Sequence, residues 1–226
     1  MDVAEILKQI SGRQSMLTYV PFLLLVVFTL VALWLGSTRQ KGKRGEKRVF
    51  NVLMKGLPDD YVVLNDIYLP LSDGTTTQID HIVVSQYGVF VVETKNYSGW
   101  IFAGERSFEW TQVIYRRKSR FQNPLHQNYR HICALAECLG IAKSCFRNVV
   151  VFTESSTFKT PMPDGVVYTV GLADYIRSFG RVQIDPSQVP EVVDAIRKWA
   201  AETGDNPAEA HVASLKRKKH GRLSVV

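Results

Sequence analysis

Apolar residues follow three different patterns along this chain, and each predicts a different element. From Leu17 to Leu35 they are almost continuous, inside an uncharged stretch of 25 residues from Gln14 to Thr38. Crossing ~30 Å of hydrocarbon takes ~20 helical residues at ~1.5 Å each, so this stretch predicts one transmembrane helix over 15–38. A buried core helix fits less well, because Thr29 is the only polar residue between Leu23 and Leu30. Pro21 lies near the start, where it would at most kink the helix. A cleaved signal peptide needs a basic leading segment and a shorter apolar stretch ending at small residues, and neither is present.

The second pattern is helical. Glu46, Val49, Phe50 and Leu53 stand at i, i+3, i+4 and i+7, which predicts a helix from about Arg44 to Lys55 that stops at Gly56 and Pro58. A carboxylate sharing the buried face is unusual. The third pattern is strand-like: Tyr61–Tyr68, Gln78–Ser85 and Val89–Lys95, with turn residues at Ser72, Asp73, Gly74 and at Gln86, Tyr87, Gly88, read as an antiparallel meander. Trp100–Ala103 and Glu109–Arg116 suggest a further hairpin. Asn123 has N-cap chemistry, Pro124 suits the first helical position, and a helix is expected to Leu139 before Gly140. Val149–Phe152 reads as a buried central strand, Val166–Val170 as a last strand, and Leu172–Phe179 and Pro190–Ala201 as short helices. The expected organisation is a short segment 1–14, the membrane helix 15–38, one α/β domain over 39–202, and a basic, flexible tail over 203–226.

Helix, three antiparallel strands, helix, strand is the element order of the restriction-endonuclease-like core, a mixed sheet flanked by helices. Element order alone is weak evidence, and the acidic residues strengthen it. Alternation along Val89–Lys95 puts Glu93 and Lys95 on one face, and antiparallel pairing across the Gln86–Gly88 turn brings Asp80 beside Glu93. Two carboxylates meeting at one point repel unless a cation joins them, and such hard oxygen ligands suit Mg²⁺ or Mn²⁺. Such a metal would polarise a phosphate and lower the pKa of a bound water. Lys95 would orient that water or offset the charge developing on the phosphorane oxygens. Glu46 would complete the metal's shell, directly or through water. The plainer alternative is an exposed Glu-Lys pair and an Asp that serves a turn. Against it, Asp80 and Glu93 are flanked by strongly apolar residues, where unpaired charge is costly. His81, on the opposite strand face, reads as a packed core residue.

Taken together, Gly45-Glu46, Gln78-Ile79-Asp80-His81-Ile82-Val83-Val84, Gly88-Val89-Phe90-Val91-Val92-Glu93-Thr94-Lys95-Asn96-Tyr97, Gly99, Trp110 and Asn123-Pro124-x-x-Gln127-Asn128 resemble the nuclease-related domain (NERD) family over about Lys43 to Leu139. The resemblance implies a PD-(D/E)xK nuclease-like fold. It places Asp80, Glu93 and Lys95 in the metal and catalytic positions and Glu46 as the helix acid. All four are kept. Gln127 is followed four residues later by His131 where wider exonuclease patterns have Tyr. One helical turn separates the two, so both can face the site; Asn123 reads as a cap.

Charge extends this picture. The formal net charge is +7, and residues 1–38 contribute none of it, since Lys8 and Arg13 balance Asp2 and Glu5. The far flank of the predicted span carries Arg39, Lys41, Lys43, Arg44, Lys47 and Arg48 against Glu46, which by the positive-inside rule places the main domain on the cytoplasmic side. A basic domain is drawn to nucleic acid or to anionic lipid. Arg116, Arg117, Lys118 and Arg120, following Trp110 and Tyr115, are candidates to grip a phosphate backbone while a ring stacks on a base, or else form a solvated loop. Cys133, Cys138 and Cys145 lack zinc spacing and read as buried thiols of a reducing compartment. The leading expectation is a membrane-anchored, metal-dependent nuclease hydrolysing phosphodiester bonds in DNA. The alternative is a catalytically silent nucleic-acid-binding or membrane scaffold module on the same fold.

Overall fold

The computed structural model describes residues 3–71 and 75–202, with the side chains of 3–19 and 30–39 outside the description. The turn expected at Ser72, Asp73 and Gly74 and the basic tail from Thr203 therefore lie outside the described residues. Two compact units are present, Met1–Lys43 and Arg44–Val226. In chain order the elements are α1 (Val3–Gly56), β1 (Val62–Pro70), β2 (Thr76–Ser85), β3 (Gly88–Lys95), β4 (Gly99–Phe102), β5 (Glu109–Ile114), β6 (Arg117–Gln122), α2 (Pro124–Leu139), β7 (Phe146–Phe152), β8 (Ser156–Phe158), β9 (Val166–Tyr168), α3 (Leu172–Arg177) and α4 (Val189–Ala201).

The helix α1 is longer than either piece expected from the sequence. Where a span over 15–38 and a separate helix from Arg44 are expected, one helix of 54 residues runs through both, with Pro21 inside it. The segment Thr38–Arg44 is made mostly of Lys, Arg and Gln, good helix formers, and its single Gly42 does not stop propagation. In the first unit the described apolar side chains are exposed, Phe22 at 67% and Phe28 at 70%. No helix among the described residues is long and apolar enough to cross a membrane. Most side chains of the expected span fall outside the description.

The second unit is built on a five-stranded mixed sheet in the order β1-β2-β3-β7-β9. β1, β2 and β3 pair antiparallel, and β7 and β9 join in parallel. The tight link from β2 to β3 requires Gly88: its φ is +131°, and a Cβ there would stand 2.5 Å from the Cys145 carbonyl oxygen. Val149–Phe152 is fully buried in β7, as its unbroken apolar run predicts for a central strand covered on both faces. On one face Val49 and Leu53 from the end of α1 pack with Leu172 and Ile176 of α3 against Val83, Phe90 and Val92. On the other, Ile132 and Leu135 of α2 and Val192 and Ile196 of α4 cover Ile82, Val84 and Val91.

A second sheet, β6-β5-β4-β8, packs through Ile101 and Trp110 onto Phe152 and Leu125. Two of its strands are absent from the sequence reading. β6 has Phe121 as its one apolar residue and so lacks alternation; pairing with β5 across a turn at Tyr115 (φ +54°) creates it. β8 is only three residues long. The three cysteines are free thiols but half-buried rather than buried.

Candidate functional site

The register of β2 on β3 runs from Ser85–Gly88 to His81–Val92, so the next step along both strands sets Asp80 opposite Glu93. The ladder ends there, and the Asp80 side chain takes over: its Oδ2 accepts a 2.8 Å hydrogen bond from the Thr94 backbone N–H. Glu93 is buried at 4% exposure among apolar strand residues. Its Oε1 accepts from the Lys95 ammonium at 2.5 Å and from the Gln127 amide at 2.8 Å. Lys95 also donates to Gln127 Oε1 at 3.0 Å, so Glu93, Lys95 and Gln127 close a three-membered ring of hydrogen bonds. His131 Nε2 lies 3.5 Å from Glu93 Oε2, long for a hydrogen bond, while its Nδ1 is 2.9 Å from the Thr77 hydroxyl.

Two local devices hold these groups in place. Gly45 lies so close to the end of β3 that a Cβ would stand 2.6 Å from Asn96 Cβ, so only glycine lets the helix approach and bring Glu46 toward Asp80. On the opposite face, Asn123 caps α2, accepting from the Leu125 N–H at 2.9 Å while its amide binds the carbonyls of Glu105 and Ser107. Asn128 ties the same helix to the sheet through the carbonyls of Val91 (2.7 Å) and Val149 (3.2 Å). One residue before that clamp, Gln127 is directed at Glu93.

The electrostatics of the two carboxylates diverge. Burial, reinforced by Glu93 and more weakly by Glu46, holds the Asp80 carboxyl well above the usual carboxylate range, although the Thr94 N–H and Lys95 oppose it. Burial also works against Glu93, but the His131 ring and the Lys95 ammonium overcome it and leave that carboxyl below its ordinary value. For Lys95 the Glu93 charge outweighs burial and raises the ammonium's pKa, so the side chain stays a cation at neutral pH. Carboxylates pushed apart in this way are a mark of functional sites. His81 behaves as a core residue: it is fully buried, stacks on Phe50 at 6.4 Å, and burial lowers its pKa to about 4.

The acidic pair opens into a cleft of about 450 Å³ lined by Asp80, Glu93, Gln127, Arg130, His131 and Gln122, among others. A larger hollow of about 710 Å³, lined by Leu125, His126 and Tyr129 of α2, holds none of the four predicted acid–base residues. Among the described residues no three His, Cys, Asp or Glu side chains are grouped to hold a metal ion. Arg130 was legible as the i+3 neighbour of Gln127, but Thr77 and Gln122 reach the cleft only through the tertiary fold. Of the basic cluster, Lys118 and Arg120 lie exposed on β6 and Arg116 on the turn before it. Trp110 is 1% exposed and cannot meet a base, contrary to the stacking role the sequence suggested.

A family model described as the nuclease-related domain (NERD) matches residues 41–153. The match takes in Glu46, Asp80, Glu93, Lys95 and Gln127 and extends past the expected motif core, through β7. An uncharacterized protein of Bacillus anthracis is 41% identical over 159 residues, 69% of this chain and 75% of that protein.

Proposed function

We propose a function from one premise: this chain belongs to the nuclease-related domain family. On that premise the protein is a metal-dependent nuclease that hydrolyses phosphodiester bonds in DNA. The observation that carries this reading is the buried Glu93 carboxylate, held at 2.5 Å by Lys95 beside a second carboxylate, Asp80, at the mouth of an open cleft.

The donor set fits Mg²⁺ or Mn²⁺. Mg²⁺ is commonly held by one or two carboxylates plus water and substrate phosphate, so the pair Asp80 and Glu93 is sufficient, with Glu46 acting through water. Asp80, its pKa raised by burial and by the neighbouring Glu93 charge, is a carboxylate that a bound cation would relieve. When bound, the metal supplies Lewis-acid polarisation of the phosphate and a water of lowered pKa. The chain's own groups do the rest. Lys95, kept charged by Glu93, does not take a proton at neutral pH; its N–H groups face the charge that grows on the phosphate oxygens. Gln127 bridges Lys95 and Glu93 and fixes the direction of both. Arg130, exposed at the cleft, offers a phosphate contact.

The test is cleavage of DNA by the full chain, purified in non-ionic detergent, with Mg²⁺, Mn²⁺ or EDTA, beside Glu93→Ala and Lys95→Ala. Cleavage should require metal and fall at least ~10²-fold in each variant. Equal cleavage by all three proteins overturns the assignment. Salt-sensitive DNA binding without metal-dependent turnover would instead establish the silent binding module.

The reading extends to location: a single-pass membrane protein with residues 39–202 on the cytoplasmic side. It is supported by the uncharged stretch from Gln14 to Thr38, the exposed apolar residues of α1 and the basic flank. An enzyme tethered there acts on strands close to the membrane. Digestion of the domain by protease added outside intact cells refutes the orientation, and release of the protein by alkaline carbonate refutes the span.

A further inference from the structure

The second sheet has two faces, and the face turned away from the core carries a pattern that the cleft does not explain. Ile101, Trp110 and Phe121 point inward. By alternation Trp100 and Phe102 of β4 then point outward, and they are 52% and 39% exposed. The register carries the same outer rows across the sheet: Trp100 pairs with Val113 and Val113 with Lys118, while Phe102 pairs with Thr111 and Thr111 with Arg120. Lys159, following β8, sets its ammonium 4.8 Å from the centre of the Trp100 ring. Two residues beyond Arg120 on the same face of β6, Gln122 pairs with Glu109 and also lines the cleft beside Asp80 and Glu93.

We infer that this outer face is a stacking platform for single-stranded nucleic acid that leads the strand into the cleft. The inference rests on the nucleic-acid reading of that cleft and names the form of its substrate. Two aromatic rings two residues apart on one strand stand ~6.8 Å from each other, room for two bases to be received separately. Duplex base faces are covered by their neighbours, so only unpaired bases can lie on Trp100 and Phe102. Three cations, Lys118, Arg120 and Lys159, surround the rings. The acid on the same face, Glu109, lies 3.8 Å from Arg120, so the net charge presented is positive and suits a phosphate backbone rather than an apolar protein segment. Trp100 is exposed, so its truncation leaves the core intact.

Binding in EDTA separates this inference from catalysis, because no cleavage occurs. The full chain in non-ionic detergent is titrated into fluorescein-labelled 20-nucleotide oligo(dT), oligo(rU) and a 20-base-pair duplex, followed by anisotropy. The single strands should bind at least about 10-fold tighter than the duplex. Trp100→Ala should weaken oligo(dT) binding by about 5- to 150-fold, and Trp100→Phe should restore most of it. Lys118→Ala should lower the slope of log affinity against log salt by about 0.7. Preference for either oligo(dT) or oligo(rU), or equal binding to both, supports the platform and identifies the sugar it accepts. Unchanged oligo(dT) binding by the Trp100→Ala, Phe102→Ala double variant overturns it, as does tighter binding of the duplex. A wild-type dimer that Trp100→Ala dissociates also overturns it, since the face would then belong to a second copy. If Glu93→Ala binds oligo(dT) as wild type does while cleavage is absent in every protein, the platform stands and the nuclease reading fails.

Discussion

Replacing Asp80 by Asn should make the metal-free protein more stable. The Asp80 carboxylate is held beside Glu93 and near Glu46, in surroundings that raise its pKa well above the ordinary range. Asn keeps an oxygen to accept the 2.8 Å hydrogen bond from the Thr94 N–H, worth ~0.5–1.5 kcal/mol, and removes only the charge. Relief of this kind at a functional site commonly yields ~0.5–2 kcal/mol, which for a unit of this size raises the melting temperature by about 1–8 °C. Asp80→Ala discards the acceptor as well and should fall at least ~1 kcal/mol short of Asn. The pH dependence has a definite sign. Because the folded-state pKa lies above the unfolded value of ~3.9, the native state holds the proton more tightly. Wild-type stability therefore declines as pH rises from ~3.9 through the folded pKa and stays lower above it. The advantage of Asn should be absent below ~pH 3.9 and complete above the folded pKa. Thermal melts in EDTA between pH 3.5 and 8 measure this, and adding 10 mM Mg²⁺ should raise the melting temperature of wild type but not of Asp80→Asn. An Asn variant less stable than wild type at pH 7.5 in EDTA, or a difference that ignores pH, would show that the Asp80 charge does not destabilise the fold.

Three further outcomes follow from the packing around the site. Gln127→Leu breaks both links of the Lys95–Glu93 ring while leaving the acids in place, so kcat should fall ~10- to 100-fold with KM nearly unchanged; steady-state kinetics in saturating Mg²⁺ would show it, and an unchanged kcat would remove Gln127 from the site. Gly45→Val forces a branched side chain against Asn96, where even a Cβ would be 2.6 Å away, and should cost ~1–3 kcal/mol in chemical denaturation. Its activity should fall more than its stability, since the same contact positions Glu46. Asn123→Ala removes a helix cap and leaves the Glu105 and Ser107 carbonyls without their donor; a loss of ~2 kcal/mol or more is expected, and a loss below ~0.5 kcal/mol would show that water replaces the amide.

Part of this architecture is encoded in local pattern. Alternation and turn chemistry specified β1 to β3 closely enough to set Asp80 beside Glu93, although the turn proved one residue shorter than expected, with Gly88 paired to Ser85 as the first residue of β3. Asn123-Pro124 fixed the start of α2, since capping is settled within one turn. An unbroken apolar run identified the central strand. Tertiary structure decided the rest. β6 carries almost no apolar residue and exists only because β5 supplies hydrogen-bond partners. Trp110, the expected base-stacking ring, is buried under the second sheet while Trp100 faces outward, a difference of strand face that no local composition reveals. Thr77 and Gln122 lie far from Glu93 along the chain and meet it at one cleft. The same holds for the energetics: Glu93 and Asp80 are both acids flanked by apolar residues. Only tertiary placement, with His131 and Lys95 against Glu93 and the Glu93 charge against a buried Asp80, pushes their proton affinities in opposite directions.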